Sequence, residues 1–244
     1  MAGEQLLYNR PLPGARLNMS HPLAKGLVGC WLLNENGGMR AMDLSPYNNH
    51  GTLTNFANPP PRPFNGLLFD GSDDYITIPN AQSLQVGASL TVTAGAKSGA
   101  QLTDYDTVIC KNSVVSDWKL GRNVVADKSF LFVLYNDVGG ASQVESPANS
   151  AIDGQCYLLR ATFDGVKVEL FLDEVSLGTA AFSGTRPALT SSVEIGVQNY
   201  LGTLMRYYAG SIYFCYLHNR VLTNPEGRAL YLNPYAPYGE RMFL

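Results

Sequence analysis

The sequence predicts an all-β sandwich carrying one short C-terminal helix, and three observations predict it. From residue 26 onward, short apolar or alternating runs are separated by clusters of Gly, Pro, Asn and Asp. Asp-Gly pairs at 70–71 and 164–165 sit between neighbouring runs, where a tight turn needs them. A helix start is written at one place, near residue 223.

Residues 1–25 hold three prolines and no sustained period, so they read as an extended arm that needs a surface to lie on. Strands follow near 26–33, 66–69, 74–78, 89–95, 106–111, 117–121, 129–136, 156–163, 166–172, 175–181, 192–197 and 209–217. In the ninth, VKVELFL, alternation places Val166, Val168, Leu170 and Leu172 on one face and Lys167 and Glu169 on the other, a half-buried strand. FLFVLY at 130–135 and SIYFCYL at 211–217 are apolar on both faces. Each therefore needs a second cover besides the core. Thr223-Asn-Pro-Glu226 is a capping box with Pro in the first turn, and Asn233-Pro234 ends the helix it begins. The ending PYAPYGERMFL, residues 234–244, has no helical or strand period, and residues 233–244 read as a tail. No second core, linker or fixed repeat is evident, so the expected organisation is an arm (1–25), a sandwich (26–232) and a tail (233–244).

Composition excludes several classes. The 244 residues are 45% hydrophobic and 15% charged, enough apolar matter for a core and too ordered a mixture for a disordered tail protein. With a net charge of −3 and no Lys/Arg block, nucleic acid is not an expected partner. No apolar run reaches membrane length, and residues 1–26 lack the basic start and apolar centre of a secretory signal, so a soluble, unexported chain is expected. Cys30, Cys110, Cys156 and Cys215 lie far apart in or beside apolar runs and read as small buried hydrophobes.

Five motifs in order resemble one family: GLVGCW at 26–31, DLSPYNNHGTL at 43–53, LFDGSDDY at 68–75, LRATFDG at 159–165 with VELFLDE at 168–174, and AGSIYFCYLHNRVLT at 209–223. The chain resembles the laminin-G-like, concanavalin A-like sandwich, a domain common in tailed-phage genomes and in secreted bacterial proteins. The resemblance covers about residues 26–232. It implies a two-sheet antiparallel jelly-roll.

Catalysis is not expected. Glucanases of this broad architecture set carboxylates at alternate positions of one strand, and no E-x-D-x-E pattern is present; Asp104 and Asp106 lie beside a turn, and Glu169 stands alone. His21, His50 and His218 are each single and pair with no nucleophile motif. No catalytic, cofactor or metal residue is assigned. Calcium is the sharper cofactor candidate, because Asp43, Asp70, Asp73 and Asp74 come from turn-rich loops; against it, Ile212-Tyr213-Phe214 replaces the acidic pair usual in the family's last core strand. Sugar binding would need exposed aromatics, whereas Trp31 and Trp118 occupy strand positions that read as packing.

The arms carry Tyr8, Pro11, Pro13 and Leu17 at one end and Pro234, Tyr235, Pro237, Tyr238, Met242 and Phe243 at the other. Such segments either fold back over their own sandwich or grip a neighbour. The leading expectation is a capsid decoration (cement) protein of a tailed phage. It would be made in the host cytoplasm, located on the virion surface and homo-oligomeric, with the major capsid protein or other virion subunits as partners. The alternative is a glycan-binding, lectin-like module of a tail fibre or secreted protein, with calcium as a candidate ligand. Neither reading involves a membrane.

Overall fold

The computed structural model describes residues 10–11, 15–62, 66–100, 105–112, 116–123, 127–187 and 190–238. Its strands are β1 (Leu27–Trp31), β2 (Arg40–Ala41), β3 (Gly51–Thr54), β4 (Leu67–Asp70), β5 (Tyr75–Ile78), β6 (Leu90–Ser98), β7 (Tyr105–Asn112), β8 (Ser116–Asn123) and β9 (Ser129–Tyr135). They continue with β10 (Ala141–Glu145), β11 (Cys156–Phe163), β12 (Lys167–Leu172), β13 (Val175–Ala181), β14 (Val193–Ile195), β15 (Gln198–Tyr200), β16 (Thr203–Met205) and β17 (Ala209–His218), followed by helix α1 (Asn224–Leu232).

β15 pairs with β16 in a separate hairpin, and the other fifteen strands form two large antiparallel sheets. One runs β1-β17-β6-β11-β12-β13, with β4 also pairing β17; the other runs β10-β9-β8-β7-β14-β5-β3-β2. Their inner faces meet in one core, to which Trp31, Phe69, Ile76, Val92, Trp118, Phe132, Leu159, Leu170 and Ile212 all belong. Alternation decides which residues reach it. In β12, Val168 and Leu170 point inward while Lys167 and Glu169 face out. Val166 was expected beside them, yet it is 70% exposed. It lies in the preceding turn, whose Asp164 Oδ1 accepts from the Val166 and Lys167 amides and lifts the side chain off the sheet.

A second core lies on the outer face of the seven-stranded sheet. A bulge in β17 between Ile212 and Phe214 turns Tyr213, Phe214 and Tyr216 outward together, and Gly95 across from Phe214 leaves room for its ring. Leu23, Leu222, Leu230 and Tyr235 close over them. Leu17 and Tyr238 pack at its edge. The second cover that β17 requires is thus the chain's own arm, helix and tail.

Polar contacts fasten that cover. The Asn18 amide donates to the Pro237 carbonyl at 2.7 Å, joining arm to tail, and the Tyr238 hydroxyl lies 2.6 Å from Cys30 Sγ. Tyr216 Oη donates to the Pro234 carbonyl, and His218 Nε2 lies 2.9 Å from the Leu23 carbonyl. Arg220 donates to the Pro22 and Lys25 carbonyls while pairing Glu226 of α1. The arms that were expected to grip neighbouring subunits are, in their described parts, docked at home. Burying the apolar groups supplies the reason: each fully covered large side chain is worth ~1.5–3 kcal/mol. Tyr8, Pro13, Met242 and Phe243 lie outside the described residues.

Candidate functional site

The outer face of the eight-stranded sheet gathers aromatic and charged groups, and strand period places them there. In β8, Trp118 and Leu120 enter the core, so Lys119 between them must face outward. In β9, Phe130, Phe132 and Leu134 turn in, and Tyr135 turns out. The β15–β16 hairpin lies against β7, turning at Leu201 and Gly202, both with positive φ. Just beyond it the Arg206 carbonyl accepts from the Thr107 amide at 3.1 Å, pinning the hairpin base to β7.

Two cations converge on one ring at this face. Lys119 Nζ lies 5.0 Å from the Tyr105 centroid and the Arg206 guanidinium 4.9 Å from it. Arg206 Nη1 donates to Gln198 Oε1 at 2.6 Å. Lys119 is only 2% exposed, and the contact its ammonium makes is with the Tyr105 ring face. Burial, and then the Arg206 charge, push its pKa down to about 8. Burial raises the Tyr135 hydroxyl, on which Arg206, Tyr200 and Tyr105 also act. Tyr200 at the hairpin end is 45% exposed. Glu145 of β10 borders the face and is held by Asn123 Nδ2, Gln143 Nε2 and Ser129 Oγ. The set offers ring faces for stacking and fixed donors; it holds no paired nucleophile and base.

Comparison places the fold in a family. A sequence model of the Laminin_G_3 family, described as the concanavalin A-like lectin/glucanases superfamily, matches residues 70–226. The chain belongs to that family. No curated protein matches it. Among solved structures, the receptor binding domain of botulinum neurotoxin D is similar with a TM-score of 0.67 at 13% identity, over 86% of this chain and 53% of that one. The botulinum neurotoxin serotype D ligand binding domain in complex with N-acetylneuraminic acid gives 0.67 and 13%, over 85% and 51%. The binding domain of Paraclostridial Mosquitocidal Protein 1 gives 0.64 and 14%, over 86% and 52%. The chain thus spans about half the length of these domains, and what it shares with them is the concanavalin A-like sandwich.

Within that sandwich the candidate residues from sequence fare differently. Asp70, Asp73 and Asp74 do come together, with carboxylate oxygens within 4.8 Å of one another. Burial and the two neighbouring charges raise Asp74 to about 6. Asp43 is not among them; it accepts from the Cys30, Ser45 and Asn49 amides and from Ser45 Oγ, bracing the loop after β2 against β1. Asp106 faces the core interior in a buried pair with Arg122, Nε to both carboxylate oxygens at 2.9 Å. Glu169 accepts from Ser176 across the β12–β13 pair. Asp104 lies outside the described residues. His21 Nδ1 accepts from the Leu23 amide and His50 Nδ1 from the Asp43 amide. Burial lowers His218 to about 4. Trp31, Trp118, Cys30, Cys110 and Cys215 are buried, as packing residues should be, and Cys156 is partly so.

No motif in the sequence singles out Tyr105, Lys119, Tyr135, Tyr200 or Arg206. One signal was available: a lysine flanked by two core residues in DWKLG has to stand on the opposite face.

Proposed function

We propose that this concanavalin A-like chain is a non-catalytic carbohydrate-binding module whose sugar site is the outer face of the eight-stranded sheet. The observation that carries the reading is the convergence of Lys119 and Arg206 on the Tyr105 ring, with Tyr135 and Tyr200 beside it. Tyrosine rings stack on the C–H faces of a pyranose, while guanidinium, ammonium and amide donors take its oxygens. The complex of the similar toxin domain with N-acetylneuraminic acid agrees with the class of ligand.

The capsid-decoration reading drew on arms free to hold coat subunits. Their described parts are engaged within the chain, and none of the three similar structures named above is a virion component, so the carbohydrate reading goes forward. A glycan array probed with the purified chain, with and without a chelator, tests it. Reproducible binding that falls when Tyr200→Ser is introduced is the expected result. A folded chain that binds no glycan in either condition overturns it.

A further inference from the structure

We infer that the glycan taken by this face is an acidic one, its carboxylate or sulfate group received between Lys119 and Arg206 beside the Tyr105 ring. The inference rests on the carbohydrate reading above and narrows it to a ligand class. Two positive groups held against one ring repel each other, and a fold keeps such a pair only where something offsets the cost. Among the described residues Cys110, Asp106 and Glu145 act against it at Lys119, but none of them hydrogen-bonds either cation. Arg206 donates to a neutral amide, Gln198. Lys119 is almost fully buried with a ring face as its contact, whereas a buried ammonium ordinarily has a carboxylate or several carbonyl acceptors.

The nearest carboxylates act on Lys119 through space and make no hydrogen bond to either cation. Glu145 is held by Asn123, Ser129 and Gln143, three neutral donors. Asp106 belongs to β7 but turns to the other side of the sheet, where Arg122 binds it. On a chain of net charge −3, the face therefore presents a local positive site, and its floor is already desolvated. An anionic group arriving there gains charge-assisted hydrogen bonds and relieves the Lys119–Arg206 repulsion. A neutral sugar gains only the stacking and the amides.

The titration of Lys119 makes the preference pH-dependent. The groups acting on its ammonium are Tyr105, Cys110 and Asp106 from β7, Glu145 from β10, and Arg206 beyond β16. Burial and Arg206 hold it near 8, so it is charged at pH 7 and mostly neutral at pH 9.

The test uses matched pairs of immobilised glycans, sialylated, uronate-bearing or sulfated against the same core without the acidic group. Wild type is compared with Lys119→Met and Arg206→Gln. Wild type is expected to prefer the acidic member by about tenfold or more at pH 7, the scale of one charge-assisted contact, and to lose much of that preference at pH 9. Preference for carboxylated or for sulfated members both support the inference and identify the anion. Lys119→Met removes an unpaired buried charge, so it should unfold at a higher temperature than wild type at pH 7. It should lose the acidic preference. Equal binding of both members by wild type, or an undiminished acidic preference in folded Lys119→Met, overturns this inference and leaves the carbohydrate reading standing. Absence of all glycan binding overturns both.

Discussion

At the residue scale, one arginine ties three segments together. Arg220 reaches the Pro22 and Lys25 carbonyls and pairs Glu226 with contacts of 2.7 and 2.8 Å, while Glu226 also accepts from the Thr223 amide as half of the capping box. Arg220 and then Thr223 depress the Glu226 carboxyl to about 2. A depressed carboxylate stabilises the fold above its unfolded pKa, and that contribution disappears as pH falls toward the folded value. Glu226→Gln should therefore cost about 1 kcal/mol near neutrality, within the range for losing a cap and a partly exposed ion pair. Urea titrations across pH should show wild type losing this margin between about pH 4.5 and pH 2, while the variant's stability lacks that component of the slope. Parallel wild-type and variant profiles over that interval would contradict the assignment.

At the scale of elements, helix α1 shows how packing overrides propensity. Gly227 sits over the buried Arg160–Glu174 pair; a Cβ there would come within 2.4 Å of Glu174 Oε2 and 2.5 Å of Arg160 Nε. Arg160 is itself held against the Phe171 ring, 3.6 Å from its centroid, and has little room to yield. Gly→Ala normally helps a helix by up to ~1 kcal/mol. Here Gly227→Ala should destabilise by roughly 1–3 kcal/mol through overpacking, and thermal unfolding would reveal the sign. The helix itself was legible because a capping box and a Pro stop are local chemistry. So were the long strands, since alternation is local too. β2, β3 and β10 were not foreseen, being short edge or near-edge pieces of two to five residues. The β15–β16 hairpin escaped because its turn places Leu201, not Asn or Asp, in the left-handed conformation before Gly202. The candidate site escaped with it, for Arg206 reaches Tyr105 and Lys119, and Tyr200 comes near Tyr135, only once that hairpin folds over β7.

Over the whole molecule, two layers of burial divide the labour. The inner core closes the two sheets on each other; the outer core binds arm, helix and tail onto β17 and leaves the opposite sheet's outer face for a ligand. The sandwich and its family were readable from five ordered motifs, but the destination of the arms was not, because Pro- and Tyr-rich segments fit a neighbour's surface as well as their own. The structure decides for their described parts. Deleting residues 1–25 should then lower stability by several kcal/mol, since Leu23 and Leu17 leave the outer core and Arg220 loses two carbonyl partners. A urea midpoint unchanged by the deletion would mean that the arm contributes nothing to the sandwich.

Chemical-shift mapping of the isotope-labelled chain, titrated with the tightest-binding acidic glycan of the array, locates the ligand directly. The largest perturbations are expected on Tyr105, Lys119, Tyr135, Tyr200 and Arg206. Perturbations confined to the Asp70–Asp74 turn, or to the arm, helix and tail over β17, would contradict it.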